Sequence, residues 1–293
     1  MHGWLVIDKP VGIGSTRVVG AVKRALREGG YPKVKVGHGG TLDPLASGVL
    51  PVALGEATKL AGRMLDADKV YDFTIGFGAE TDTLDLEGEV IARSDARPTV
   101  AEVEAALPRF TGPIAQVPPA YSALKVDGQR AYDLARAGEE VVLASRNVTI
   151  HALSILASTS DSVTLSARVS KGTYIRSLAR DIAHALETVG HVTMLRRTKA
   201  GPFTLDAAIS LDNLSEAAKG RTLEQHLLPL TAGLDDIPAL PVDPDQAGAL
   251  RQGRKLIGIA ARPGLNLATD RGIPVALVEL SGDELRVVRG FNL

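Results

Sequence analysis

Short runs of alternating apolar and polar residues recur along this chain between longer stretches with helical spacing, which predicts a mixed α/β protein without internal repeats. LVID at 5–8 reads as a strand. Ser15 or Thr16 then caps a helix running to about residue 27, stopped by Gly29 and Gly30. Residues 49–54 read as a second strand, 56–65 as a helix, and 70–77 as a strand with Tyr71, Phe73 and Ile75 on one face. Thr99 and Glu102 form a capping-box pattern ahead of a helix to about residue 109. Between 174 and 189, Ile175, Leu178, Ile182, Ala185 and Val189 fall on one helical face, and Gly190 ends the element. The acid- and proline-rich DDIPALPVDPD at 235–245 marks a domain boundary, giving 1–234 and 235–293. The second part contains PVALVEL and LRVVRG separated by SGDE, the pattern of a small β barrel.

A chain of 293 residues with 45% hydrophobic content builds proper cores. It lacks a run of eighteen apolar residues and a leader pattern, so no membrane contact and a cytoplasmic location are expected. The absence of cysteine excludes disulfides, thiol nucleophiles and cysteine metal sites, and the six histidines are scattered, so no metal site is expected. The net charge of −1 hides an uneven distribution. Residues 1–60 carry eight Lys and Arg against four acids, and 171–200 six against two, whereas 61–110 carry five against eleven. Such a bipolar surface permits a polyanionic partner.

The candidate chemistry lies in VGHGGTLDPLASGVLP at 36–51, where one carboxylate, Asp43, stands among residues that shape backbone. Gly37, Gly39 and Gly40 can take positive φ and admit a large substrate, and Pro44 fixes the turn behind the acid. An Asp that merely closes its own turn is the competing reading. A cationic partner would hold Asp43 charged and aimed, and Arg176, in the first turn of its helix, is the candidate. Tyr71 is either core packing or a ring that stacks on a base and moves a proton. His38, between two glycines, is either an ordinary loop residue or a flat ring replacing a nucleotide that has left its stack.

Residues 36–51 resemble the catalytic motif of the bacterial tRNA pseudouridine-55 synthases. GWLVIDKPVG at 3–12, DKVYDFTIGFGAETDTLDLEGEV at 68–90, VPPAYSALKVDGQRAYDLARAG at 117–138 and VSKGTYIRSLARDI at 169–182 agree in the same order. The resemblance implies an α+β fold: a mixed, largely antiparallel sheet with helices, a mobile RNA-binding insertion at 117–138, and a PUA-like C-terminal β barrel. It implies a catalytic domain at 1–234 that converts uridine to pseudouridine in the T-loop of tRNA without cofactor, using Asp43 as nucleophile. By position, Tyr71 would stack on uracil and abstract a proton, Arg176 would pair with Asp43, and Tyr174 and Leu195 would line the pocket. His38 would fill the gap left by the flipped uridine, Lys9 and Pro10 would pack beneath the site, and Asp85, Lys125 and Arg130 would contact RNA. The partner is then a tRNA T-arm stem-loop, with a monomer and no obligatory protein partner.

Two further classes compete with that expectation. A guide-RNA-dependent pseudouridine synthase shares the Asp-centred core, and a tRNA-folding protein would bind without using the carboxylate. A hydrolase or an ATPase is disfavoured, since neither G-x-S-x-G nor G-x-x-x-x-G-K-[ST] occurs.

Overall fold

The computed structural model describes residues 1–122, 124–126, 129–137, 141 and 143–293. The chain opens with strand β1 (Gly3–Lys9), helix α1 (Ser15–Glu28) and strands β2 (Val36–His38) and β3 (Ala46–Leu54). A 3-10 turn at Gly55–Leu60 leads into α2 (Ala61–Asp66), so the helix expected at 56–65 is split in two. Strands β4 (Lys69–Phe77), β5 (Ala79–Thr81) and β6 (Val90–Arg93) follow, then α3 (Val100–Ala106), whose Thr99–Glu102 capping box is present. Strand β7 (Gly112–Gln116) precedes β8 (Lys125–Val126), β9 (Gln129–Arg130) and α4 (Ala131–Arg136). The core continues through β10 (Arg146–Ser158), β11 (Ser162–Val169), α5 (Ile175–Ala185), β12 (Gly190–Ala200), β13 (Phe203–Thr204), β14 (Ala208–Ile209) and α6 (Leu211–Lys219). The C-terminal part holds β15 (Ala239–Pro241), α7 (Pro244–Arg251), β16 (Leu256–Ile257), β17 (Gly264–Asp270), β18 (Ile273–Ser281) and β19 (Glu284–Gly290).

Ten strands form one mixed, largely antiparallel sheet in the order β14-β1-β3-β12-β4-β11-β10-β7, with β2 beside β3 and β13 beside β12. The β1–β14 and β3–β12 pairs are parallel. Covering both faces explains why β1 and β3 read as near-continuous apolar runs. Leu5 and Ile7 of β1, with Leu50, Val52 and Leu54 of β3, pack under α1 and α6, while Trp4, Val6, Val49 and Ala53 pack on the opposite face. A second core joins α3 and α5 to β4, β10, β11 and β12 through Phe73, Ile75, Leu165, Leu178 and Ile182.

The helix expected to reach Val189 stops at Ala185: Glu187 adopts φ 56°, and Gly190 begins β12 instead of capping the helix. Spacing alone could not separate the last turn from the following strand, because Val189 continues the apolar pattern across the break. Ser15 is likewise not a cap. Gly14 occupies the N-cap without a side-chain bond, and Ser15 is the first residue of α1.

Residues 239–290 build a separate five-stranded sheet in the order β15-β17-β18-β19-β16. The stretch read as a boundary is ordered: β15 pairs with β17, and Asp243 and Gln246 form a capping box at α7. Leu267, Leu277 and Phe291 from this sheet share a core with Trp4 and Phe203. No helix among the described residues is long and apolar enough to cross a membrane.

Candidate active site

Asp43 lies in the loop between β2 and β3, and the carbonyls of five consecutive residues of that loop are each held from outside or across the turn. Arg197 donates to Gly40 O at 3.1 Å, to Thr41 O at 3.3 Å and to Val49 O at 2.8 Å. The Ser15 hydroxyl donates to Leu42 O at 3.2 Å and accepts from Leu42 N at 2.8 Å. Ala46 N donates to Asp43 O at 3.0 Å. Pro44 O accepts from Gly12 N at 2.8 Å and from Lys9 Nζ at 3.2 Å. Leu42 is itself buried in the core under α1. The result is a rigid mount for one carboxylate, of the kind catalysis requires.

Of the loop glycines, Gly40 takes positive φ (130°), whereas Gly37 lies in β2 and Gly39 serves another purpose. A Cβ on Gly39 would sit 2.6 Å from Cβ of Met64, so its glycine permits α2 to approach.

The Asp43 side chain is 41% exposed, and its Oδ2 lies 3.0 Å from Arg176 Nε. Arg176 is almost fully buried near the start of α5. Its guanidinium also donates to Thr83 O at 2.8 Å and Tyr121 O at 2.9 Å, and approaches Asp85 Oδ2 at 3.7 Å. Two carboxylates and two carbonyls thus compensate a cation whose position opposes the helix dipole.

Asp43, Leu45, Ala46, Asp85, Arg176, Val192, Thr193, Met194 and Leu195 line a small open cleft. Strand β12 supplies the wall, and its pairing with β4 is irregular between Val192 and Met194. A bulge there turns neighbouring side chains toward the cleft, a device common beside active sites.

Asp85 requires correction. The resemblance implies an RNA contact and its acid-rich surroundings a solvated loop, but the side chain is buried, accepts from Thr83 Oγ1 at 2.6 Å and Glu87 N at 3.0 Å, and faces the cleft. Tyr71 lies on β4, packed against both large cores together with Leu195, and is not among the residues lining the cleft. His38 pairs with Val52 in the sheet, also outside the cleft lining, and burial followed by the nearby Arg197 charge lowers its pKa. Tyr174 stands at the N-cap of α5 and, like Tyr71 and His38, outside the cleft lining; burial pushes its hydroxyl above the usual phenol range, opposed by the Ser122 side chain, Arg146 and Arg176 and aided by Asp43. Lys125 and Arg130 pair across the β8–β9 hairpin, and their side chains lie outside the described residues.

Lys9 does more than pack. It is fully buried, and its ammonium also donates to Pro10 O at 2.9 Å and Ile13 O at 2.6 Å. Burial lowers its pKa from 10.5 to about 8, with the Asp43 charge opposing. Below about pH 8 both folded and unfolded chains hold this proton; between about 8 and 10.5 only the unfolded chain does, so Lys9 makes stability rise with pH in that window. Lys9→Met is expected to flatten that rise, leaving the part from Lys69, which is also lowered to about 8 by burial. Urea unfolding at about pH 7.5 and about pH 9.5 checks it. An unchanged rise in the variant would exclude Lys9 as its source.

Arg197 is the functional residue that sequence reading passes over. It is 1% exposed, and its signal was a charged residue in a strand, two positions after the inward-facing Leu195.

Residues 25–175 match the model of the TruB family pseudouridylate synthase N-terminal domain, and 176–235 match that of the tRNA pseudouridylate synthase B C-terminal domain. The tRNA pseudouridine synthase B of Zymomonas mobilis is 64% identical over 292 residues, covering 100% of this chain and 96% of that protein. That of Novosphingobium aromaticivorans is 64% identical, covering 100% and 98%. Among solved structures, a Cbf5-Nop10-Gar1 complex matches with TM-score 0.77 at 26% identity, over 99% of this chain and 85% of that one. A buried arginine tied to an exposed aspartate, on a loop fixed carbonyl by carbonyl, therefore occurs within a sequence matched from end to end, and the chain belongs to the TruB family of pseudouridylate synthases.

Proposed function

We propose that the chain isomerises uridine 55 in the T-loop of tRNA to pseudouridine, with Asp43 as nucleophile. The observation that carries this reading is the 3.0 Å Asp43–Arg176 pair opening onto a cleft walled by Leu45 and Leu195. Isomerisation breaks the C1′–N1 bond, joins C5 to C1′, moves a proton off C5 and returns one to N1. It needs an anionic group fixed at the sugar, a proton acceptor, and a dry enclosure for the detached base. Asp43 supplies the first, Tyr71 is our candidate for the second, and the aliphatic side chains of Leu45, Val192 and Leu195 favour the third.

Because T-loop uridine is buried in folded tRNA, it must leave its stack before reacting, with His38 taking the vacated space. Asp85 then acts inside the cleft, through Arg176, and phosphate contacts fall to the 117–138 insertion with Lys125 and Arg130. We read 1–234 as the catalytic part and 235–293 as an attached RNA-binding module.

A second reading draws on the solved likenesses, which include an archaeal box H/ACA sRNP Nop10-Cbf5 complex at 25% identity and TM-score 0.75. The purified chain separates the two. Tritium release from [5-³H]uridine-labelled tRNA, and from the isolated T-arm stem-loop, is expected without guide RNA, protein partner or added metal. Release only after a guide RNA is added would favour the second reading; reaction of whole tRNA alone would refute recognition by the T-arm.

A further inference from the structure

Tyr174 stands two residues before Arg176, and its main chain is gripped twice by one side chain. Tyr174 N donates to Gln116 Oε1 at 2.8 Å, and Gln116 Nε2 donates to Tyr174 O at 3.1 Å. Gln116 is fully buried at the end of β7, so this grip is shielded from water. Directly opposite Gln116 in the sheet is Arg146, the first residue of β10. Its guanidinium carbon lies 5.9 Å from the centre of the Tyr174 ring.

The Arg146 side chain makes no hydrogen bond or ion pair among the described residues, although it is half-buried. A guanidinium partly withdrawn from water normally finds a carboxylate or carbonyl. Here its contact is the aromatic face, an attraction that strengthens as the cation is desolvated. The grips differ in what they fix: Gln116 sets the backbone and the Ser122 side chain faces the hydroxyl, whereas Arg146 lies over the face of the ring.

We propose that Arg146 is a positioning residue for the isomerisation, holding the Tyr174 ring at the start of α5, two residues before the Arg176 that pairs with Asp43. This rests on the function proposed above. It adds that the paired ends of β7 and β10, which flank the insertion, brace the start of α5. The electrostatics agree, since the Tyr174 hydroxyl feels Arg146, Asp43 and Arg176 together.

The test is single-turnover tritium release by native chain, Arg146→Ala, Arg146→Lys, Tyr174→Ala and the Arg146→Ala/Tyr174→Ala double variant. Arg146→Ala is expected to slow the reaction about tenfold, with tRNA Kd within about twofold and its salt dependence unchanged. Arg146→Lys, which keeps the cation, is expected to recover most of that loss. In the Tyr174→Ala background the second substitution should cost less than about twofold, because the residue it acts through is gone. Fully additive losses, a native rate in Arg146→Ala, or weaker binding with a shallower salt dependence would each overturn the proposal, the last by making Arg146 a phosphate contact. A readout independent of activity is the ring resonance of Tyr174, one of five tyrosines, in ¹³C-tyrosine-labelled protein. It should shift and sharpen in Arg146→Ala and stay near native in Arg146→Lys; an unmoved signal also overturns the proposal. A native chain without tritium release but with this shift would count against the proposed function and for the Arg146 grip.

Discussion

Asp43→Asn is expected to lower single-turnover tritium release by at least about 10⁴-fold, the scale of losing a nucleophile, while T-arm affinity stays within about threefold. The mount does not depend on the lost charge. The bonds that fix residues 40–44 run to main-chain carbonyls from Lys9, Gly12, Ser15, Ala46 and Arg197, and none uses the Asp43 side chain. Asparagine is isosteric, so the loop keeps its shape and the RNA-facing surface is retained. The amide cannot act as the anionic nucleophile, and Arg176 is left with Asp85 as its remaining carboxylate partner. Quench-flow measurement with filter binding on the same preparation decides the matter. More than about one hundredth of the native rate would remove Asp43 from the role of nucleophile.

The largest effect on stability is expected at the far end of the chain. Phe291→Ala should lower unfolding free energy by about 3–5 kcal/mol, the usual cost of emptying an aromatic site in a core. Phe291 is 2% exposed and packs in one cluster with Trp4, Phe203, Leu267 and Leu277. The Trp4 and Phe203 rings meet at a tilt of 46° with centres 5.2 Å apart, and the Trp4 indole donates to Leu230 O. The flanking main chain is tied down as well, Gly290 O by Lys59 and Asn292 N by Glu56. Truncation after Gly233 should therefore expose the Trp4 face of the large sheet and give an aggregating product. Denaturant unfolding of the Phe291 variant, and solubility of the truncation, check both. A soluble truncation with native tRNA affinity would show that the C-terminal sheet neither supports the core nor binds RNA.

How much of this was legible in the sequence depended on whether the signal was local. Strands such as β4, with Phe73 and Ile75 at alternate inward positions, and the Thr99–Glu102 box at α3 are written in a few adjacent residues, and both appear as expected. The Asp43–Arg176 pair spans well over a hundred residues; the helix-dipole argument together with the family motif made it legible, and spacing alone would not have done so. Arg197 escaped notice because its value lies in three carbonyls contributed by a distant loop and strand. The bulge in β12 was equally hidden, since a register shift belongs to a pair of strands and not to either alone. Ser15 looked like a cap because capping residues and loop clasps use the same hydroxyl.

The grip on residues 40–44 is made almost entirely to main-chain oxygen, which every amino acid supplies. Gly40, with its positive φ, and Leu42, with its place in the core, aside, the socket is therefore blind to the side chains it holds. Selection on loop geometry falls instead on Lys9, Ser15 and Arg197, which lie outside the loop, leaving side chains such as that of Thr41, which is exposed, free to be varied for substrate fit without disturbing the aim of the carboxylate.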